Sequence, residues 1–186
     1  MKKISLVCCI ILCLLLAGCG QTLPEKTVDG TPWEESWVIM GSYVGVETPQ
    51  NWEVQRNEDV LAAEGMYYAV WTTGNAHTYT NDTGDEATTY DAEIHMVVTE
   101  SDRLEDAAAT ASELEALTLE RYPNATSYTE EYAGQTFQIW TYSAGASATG
   151  IRDACVIRLD VTTQENFSLS PSQVLSEFLQ QLHYAK

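Results

Sequence analysis

Three kinds of side chain in this 186-residue sequence could do chemistry: a few histidines, many carboxylates, and aromatic rings on strand-like segments. His77, His95 and His183 are the only histidines. No two of them fall on one helical face, as a pair of zinc ligands would. Asn81-Asp82-Thr83-Gly84-Asp85-Glu86 is the best candidate for a hard cation, with three carboxylates around a glycine. It lacks the EF-hand spacing and that motif's terminal bidentate glutamate, so it reads as a solvated acidic turn. Serine hydrolysis would want a Gly-x-Ser-x-Gly elbow between strand and helix. The nearest string, Gly145-Ala146-Ser147-Ala148-Thr149-Gly150, has the wrong spacing and is expected in a hairpin loop. The 27 acidic residues could supply the opposed carboxylates of a glycosidase, but no pair is marked by its position. The glycine loops that cradle phosphates or dinucleotides are absent. No catalytic residue, metal or cofactor is expected.

The aromatic residues offer a different chemistry. Tyr67, Tyr68, Trp71, Trp140 and Tyr142 alternate along expected strands. Two helices do not readily cover both faces of a sheet. Trp71, Trp140 and Tyr142 therefore have two readings. They are core, or they form an exposed platform on which a glycan or peptide stacks.

The elements that would carry these residues can be read from periodicity. Residues 43–46, 52–55 and 66–72 read as strands, rich in β-branched and aromatic residues. Gly74 to Asp91 reads as a long exposed hairpin loop. Ile94, Met96 and Val98 mark the apolar face of a half-buried strand. A helix is expected over about 102–122, with Asp102 as its cap. Its apolar face is Leu104, Ala107, Ala108, Ala111, Leu114 and Leu117. Strands follow at 127–132, 135–142 and 151–161, the first two joined by a turn at Ala133-Gly134. Ser170-Pro171-Ser172-Gln173 opens a second helix, about 171–183, with a capping box and proline in the first turn. The fold class is thus α+β: an antiparallel β-sheet of about six strands packed by two main helices.

The N-terminus carries its own signal. Lys2 and Lys3 precede an apolar run from Ile4 to Ala17, too short to span the roughly 30 Å hydrocarbon core. Leu16-Ala17-Gly18-Cys19 then resembles the lipobox of bacterial lipoproteins. That resemblance implies a diacylglycerol on the Cys19 sulfur, cleavage before Cys19, and an anchor that includes palmitate. Two or more acyl chains would give a stable anchor. It divides the chain into a signal peptide (1–18), a lipidated tether (19–36) and one globular domain (37–186). It places the protein on the extracytoplasmic face of the bacterial cell membrane. Of the five cysteines, only Cys155 would lie in the mature domain, so no intramolecular disulfide is expected. Cys155 shares a strand face with Ile157, Leu159 and Val161 and reads as a small core residue. The formal charge of −18 repels nucleic acid and anionic lipid surfaces.

Three local features also resemble the PsbP-like family. They are Thr48-Pro49-Gln50-Asn51-Trp52 after the opening strand, Gly134-Gln135-Thr136-Phe137 after the mid-chain helix, and the helix from Val174 to Leu182 ending near Tyr184. They span most of residues 40–184. The resemblance implies a binding or assembly scaffold. The functional expectation is a membrane-anchored, non-enzymatic binding or scaffold module, with an envelope protein or glycan as its candidate ligand. The alternative is an envelope hydrolase using unmarked carboxylates.

Overall fold

The computed structural model describes residues 27–28, 31–32, 37–42, 44–56, 65–143 and 145–185. The expected signal peptide and Cys19 lie outside them. Within the expected tether, β1 (Thr27–Val28) and β2 (Thr31–Pro32) form a minimal antiparallel pair.

The expected α+β class holds. A seven-stranded antiparallel sheet runs in the order β5-β6-β7-β11-β10-β9-β8. Its strands are β5 (Glu53–Arg56), β6 (Met66–Thr80), β7 (Glu86–Glu100), β8 (Thr126–Tyr132), β9 (Gln135–Tyr142), β10 (Gly145–Arg152) and β11 (Cys155–Thr163). Helix α1 (Leu104–Arg121) links β7 to β8, and α2 (Pro171–Leu179) follows β11. A three-stranded sheet has the order β12-β4-β3, from β12 (Leu182–Tyr184), β4 (Val44–Val46) and β3 (Val38–Met40).

The pleat sorts side chains between two faces. Trp71, Ile94, Met96, Ile157, Leu159 and Phe137 point to one face and pack with α2 and the small sheet into the main core. Cys155 belongs to this core and is 1% exposed, as its alternation implied. The opposite face carries Val156 under Ala107 and Ala111 of α1.

Four expectations change. The string Gly145–Gly150 is no loop: it is the buried first part of a central strand. Helices contact β10 from both sides, so only small residues fit there. A Cβ on Gly145 would sit 2.5 Å from the Val161 carbonyl oxygen. Second, most of Gly74–Asp91 is not a loop but the outer half of β6 and β7, a two-stranded arm beyond the sheet body. Its threonines suit an exposed ribbon as well as a loop. Third, α1 begins at Leu104, so Arg103 and not Asp102 occupies the N-cap, where no side chain caps the helix; Arg103 instead makes a bidentate contact with Asp106. Only a narrow strip of the helix is covered: Ala107, Ala111 and Thr118 are buried, while Leu104 and Leu117 are 63% and 58% exposed. Fourth, α2 stops at Leu179. Leu182–Tyr184 leaves the helix to pair antiparallel with β4.

Candidate functional site

The three residues of the expected platform do not share a face. Trp71 pairs with Ile94 on the α2 side and is fully buried. Its ring meets Phe178 edge-on at 4.8 Å. Its indole N–H donates to Thr48 Oγ1 at 3.2 Å. Trp140 pairs with Ser147 on the α1 side and is 9% exposed. Tyr142, two residues on, stacks on Tyr122 with ring centroids 3.8 Å apart. The two-residue period of a strand puts Trp140 and Tyr142 together, but register places Trp71 on the other surface of the sheet. A flat platform of these three rings is therefore not formed.

What Trp71 does is position another tryptophan. By holding Thr48, it anchors the turn that carries Pro49 and Trp52. Thr73 Oγ1 fixes the same turn by donating to the Asn51 carbonyl at 2.8 Å. Across from it, the segment after β11 brings Phe167 and Leu169 against the core. That segment is held where it leaves the sheet, by Gln164 N–H donating to the Asp91 carbonyl at 2.8 Å. Between the two walls lies a cavity of about 320 Å³, with Ile94, Val174 and Phe178 beneath and Glu177, Gln180 and Gln181 at the helix side. Aromatic walls with a few polar groups at the rim are the usual make-up of a binding cleft. Glu177 is the one carboxylate among the lining residues.

The cleft lies at the base of the β6–β7 arm. There Gly74 has φ +82°, and a Cβ on it would collide with Asp91. This permits a bulge between Thr73 and Ala76. Asp91 accepts from Asn75 N at 2.8 Å, from Asn75 Nδ2 at 2.9 Å and from His77 Nε2 at 2.6 Å. The Asn75 backbone N–H first, and the His77 ring next, hold this carboxyl below the usual carboxylate range. At the tip, the side-chain oxygen of Asn81 accepts from the Thr83 and Asp85 backbone N–H groups at 3.1 and 2.8 Å. The acidic string thus uses Asn81 as a turn cap. Among the described residues, no three His, Cys, Asp or Glu side chains are grouped to hold a metal ion.

A second cavity, of about 350 Å³, lies beside the Tyr122–Tyr142 stack, between Arg121, Asn124 and Ser143. On the α1 face of the sheet, Tyr68 and Glu93 flank His95. The Tyr68 hydroxyl lies 2.7 Å from His95 Nδ1, and His95 Nε2 donates to Glu93 at 3.2 Å. His183 stacks on Trp37 at 4.0 Å instead.

No family model and no curated protein matches this sequence. Among solved structures, the fold is similar to the solution structure of the cyanobacterial PsbP protein CyanoP from Synechocystis sp. PCC 6803. The two share 13% identity and a TM-score of 0.38, over 70% of this chain and 92% of that one. Among the described residues, no helix is long and apolar enough to cross a membrane.

Sequence reasoning did not single out Trp52 and Phe167 as site residues. Trp52 was visible as the end of a Pro49-to-Trp52 turn, but its partner lies more than a hundred positions away. The only local signal at Phe167 is an apolar residue between Asn166 and Ser168, just ahead of a strong helix start.

Proposed function

We propose that this protein is a non-enzymatic binding module, held at the extracytoplasmic face of a bacterial membrane by a lipid on Cys19. Its ligand, an envelope protein or a glycan, docks between Trp52 and Phe167. The observation that carries this reading is the cleft itself. Two aromatic walls are fixed by hydrogen bonds and packing, and they meet over an apolar floor. Rings presented this way stack on sugar faces or on apolar side chains of a peptide. The lining supports binding over turnover, since one glutamate does not supply the two opposed carboxylates of glycoside hydrolysis.

The test compares two tryptophans by crosslinking in intact cells. Trp52→Ala is expected to keep native far-UV circular dichroism and to lose the neighbours captured by the wild type. Trp71→Ala is expected to destabilise the fold by about 3–5 kcal/mol, because it empties a buried aromatic site. Unchanged capture by a folded Trp52→Ala protein would overturn the cleft reading. Hydrolysis of a cell-wall glycan, abolished by Glu177→Gln in a folded protein, would replace it with the enzyme.

A further inference from the structure

The arm offers a second surface, independent of the cleft. β5 pairs with β6 only over Ala69–Thr72, while β7 continues alongside β6 as far as Thr80. From Ala76 to Thr80, therefore, no strand among the described residues lies along the outer edge of β6. These five residues are exposed, with Tyr79 at 52%. An open strand edge presents a row of backbone donors and acceptors that can template another strand. Proteins usually blunt such an edge with lysine, proline or a bulge. Here Ala76-His77-Thr78-Tyr79-Thr80 contains neither lysine nor proline. The bulge sits below it, between Thr73 and Ala76, where it leaves the upper edge unbroken. The opposite edge, on β7, is already engaged at its base through Gln164 and Asp91.

The edge is held ready rather than left to fray. Asp91 clamps the bulge at one end of the arm, and Asn81 caps the turn at the other. A preformed strand lowers the ordering cost for a partner that adds to it.

Charge selects the occupant. Residues 74–91 hold Asp82, Asp85, Glu86 and Asp91 but no lysine or arginine, and the whole chain carries −18. A second copy pairing edge to edge would bring like charges together. We infer that the outer edge of β6, Ala76–Thr80, docks an extended basic peptide segment by strand addition. Main-chain hydrogen bonds would supply the pairing, and the carboxylates at the tip would select lysine or arginine side chains.

The test uses the full chain in detergent and three short synthetic peptides. One alternates lysine and valine. The second has the same sequence with every backbone nitrogen methylated, which keeps the charge and removes the N–H donors from both edges. The third replaces lysine with glutamate. Binding is read by fluorescence anisotropy, and its location by amide hydrogen exchange. The lysine peptide is expected to bind, to slow exchange within Ala76–Thr80, and to bind equally well to Trp52→Ala. The methylated and glutamate peptides are expected to lose most of that binding. Equal binding of the methylated peptide would leave only charge attraction and overturn strand addition. Protection outside the arm, or a dimer that protects Ala76–Thr80 without peptide, would overturn it as well. Loss of peptide binding in Trp52→Ala would assign the peptide to the cleft and not to the arm.

Discussion

Tyr142 was read from the sequence as a ring for stacking, and it does stack, but on Tyr122 of its own chain. Desolvation first, and the Asp160 carboxylate next, push its phenol up to about 12 from the ordinary value of 10.0. Burial raises Tyr184 in the same direction. A folded-state value raised above the unfolded one means that the folded state holds the neutral phenol. The stability tied to it is fully present below about pH 10 and is lost as pH rises toward 12. Thermal melts over this window are expected to show a falling Tm, and Tyr142→Phe should flatten part of the fall. A profile unchanged by Tyr142→Phe would mean that other groups govern the alkaline limb. Arg158 makes a related point about burial. It is 8% exposed on the α1 side of the sheet, with bonds to Asp160, to Thr149 and to Thr118 of α1. The buried helix position 118 is a threonine because its hydroxyl meets this guanidinium at 2.9 Å. A buried charge of this kind stands only when its donors are satisfied.

Among the elements, α2 was the most legible. Ser170 accepts from Gln173 N–H, and Gln173 Oε1 accepts from Ser170 N–H at 2.9 Å, the reciprocal capping box expected from the sequence. Val174, Leu175, Phe178 and Leu179 are the buried residues of α2. Ser170→Ala removes the cap and is expected to cost about 1 kcal/mol in urea denaturation. A loss near zero would mean that packing alone holds the helix end. By contrast, β10 was hidden. Its Gly-Ala-Ser-Ala-Thr-Gly run has the composition of a turn, and it is a strand only because β9 and β11 flank it and helices press on both faces. The turn after it was hidden too, since Asp153 and Ala154 adopt φ +48° and +62° without a glycine to announce them. At Ala133-Gly134 the same geometry carries a glycine, and that hairpin was read correctly.

For the whole molecule, the proposed lipid anchor would have the widest consequence, and it is testable directly. Cys19→Ala is expected to move the protein from the membrane fraction to the soluble fraction, with its leader uncleaved at residue 19. A variant still processed and detergent-extractable as before would remove the lipoprotein reading. Local sequence was enough for whatever depends on neighbours in the chain. Periodicity gave the α+β class, Ser170 and Gln173 marked a helix start, and alternation buried Cys155. These follow from backbone geometry and from side chains a few residues apart. Tertiary structure decided what depends on register and on distant packing. It put Trp71 in the core and Trp140 on the other face, made a strand of 145–152, and joined Trp52 to Phe167 in one cleft. A one-residue change of register exchanges the two faces of a strand, and no local pattern records which helix will cover each face.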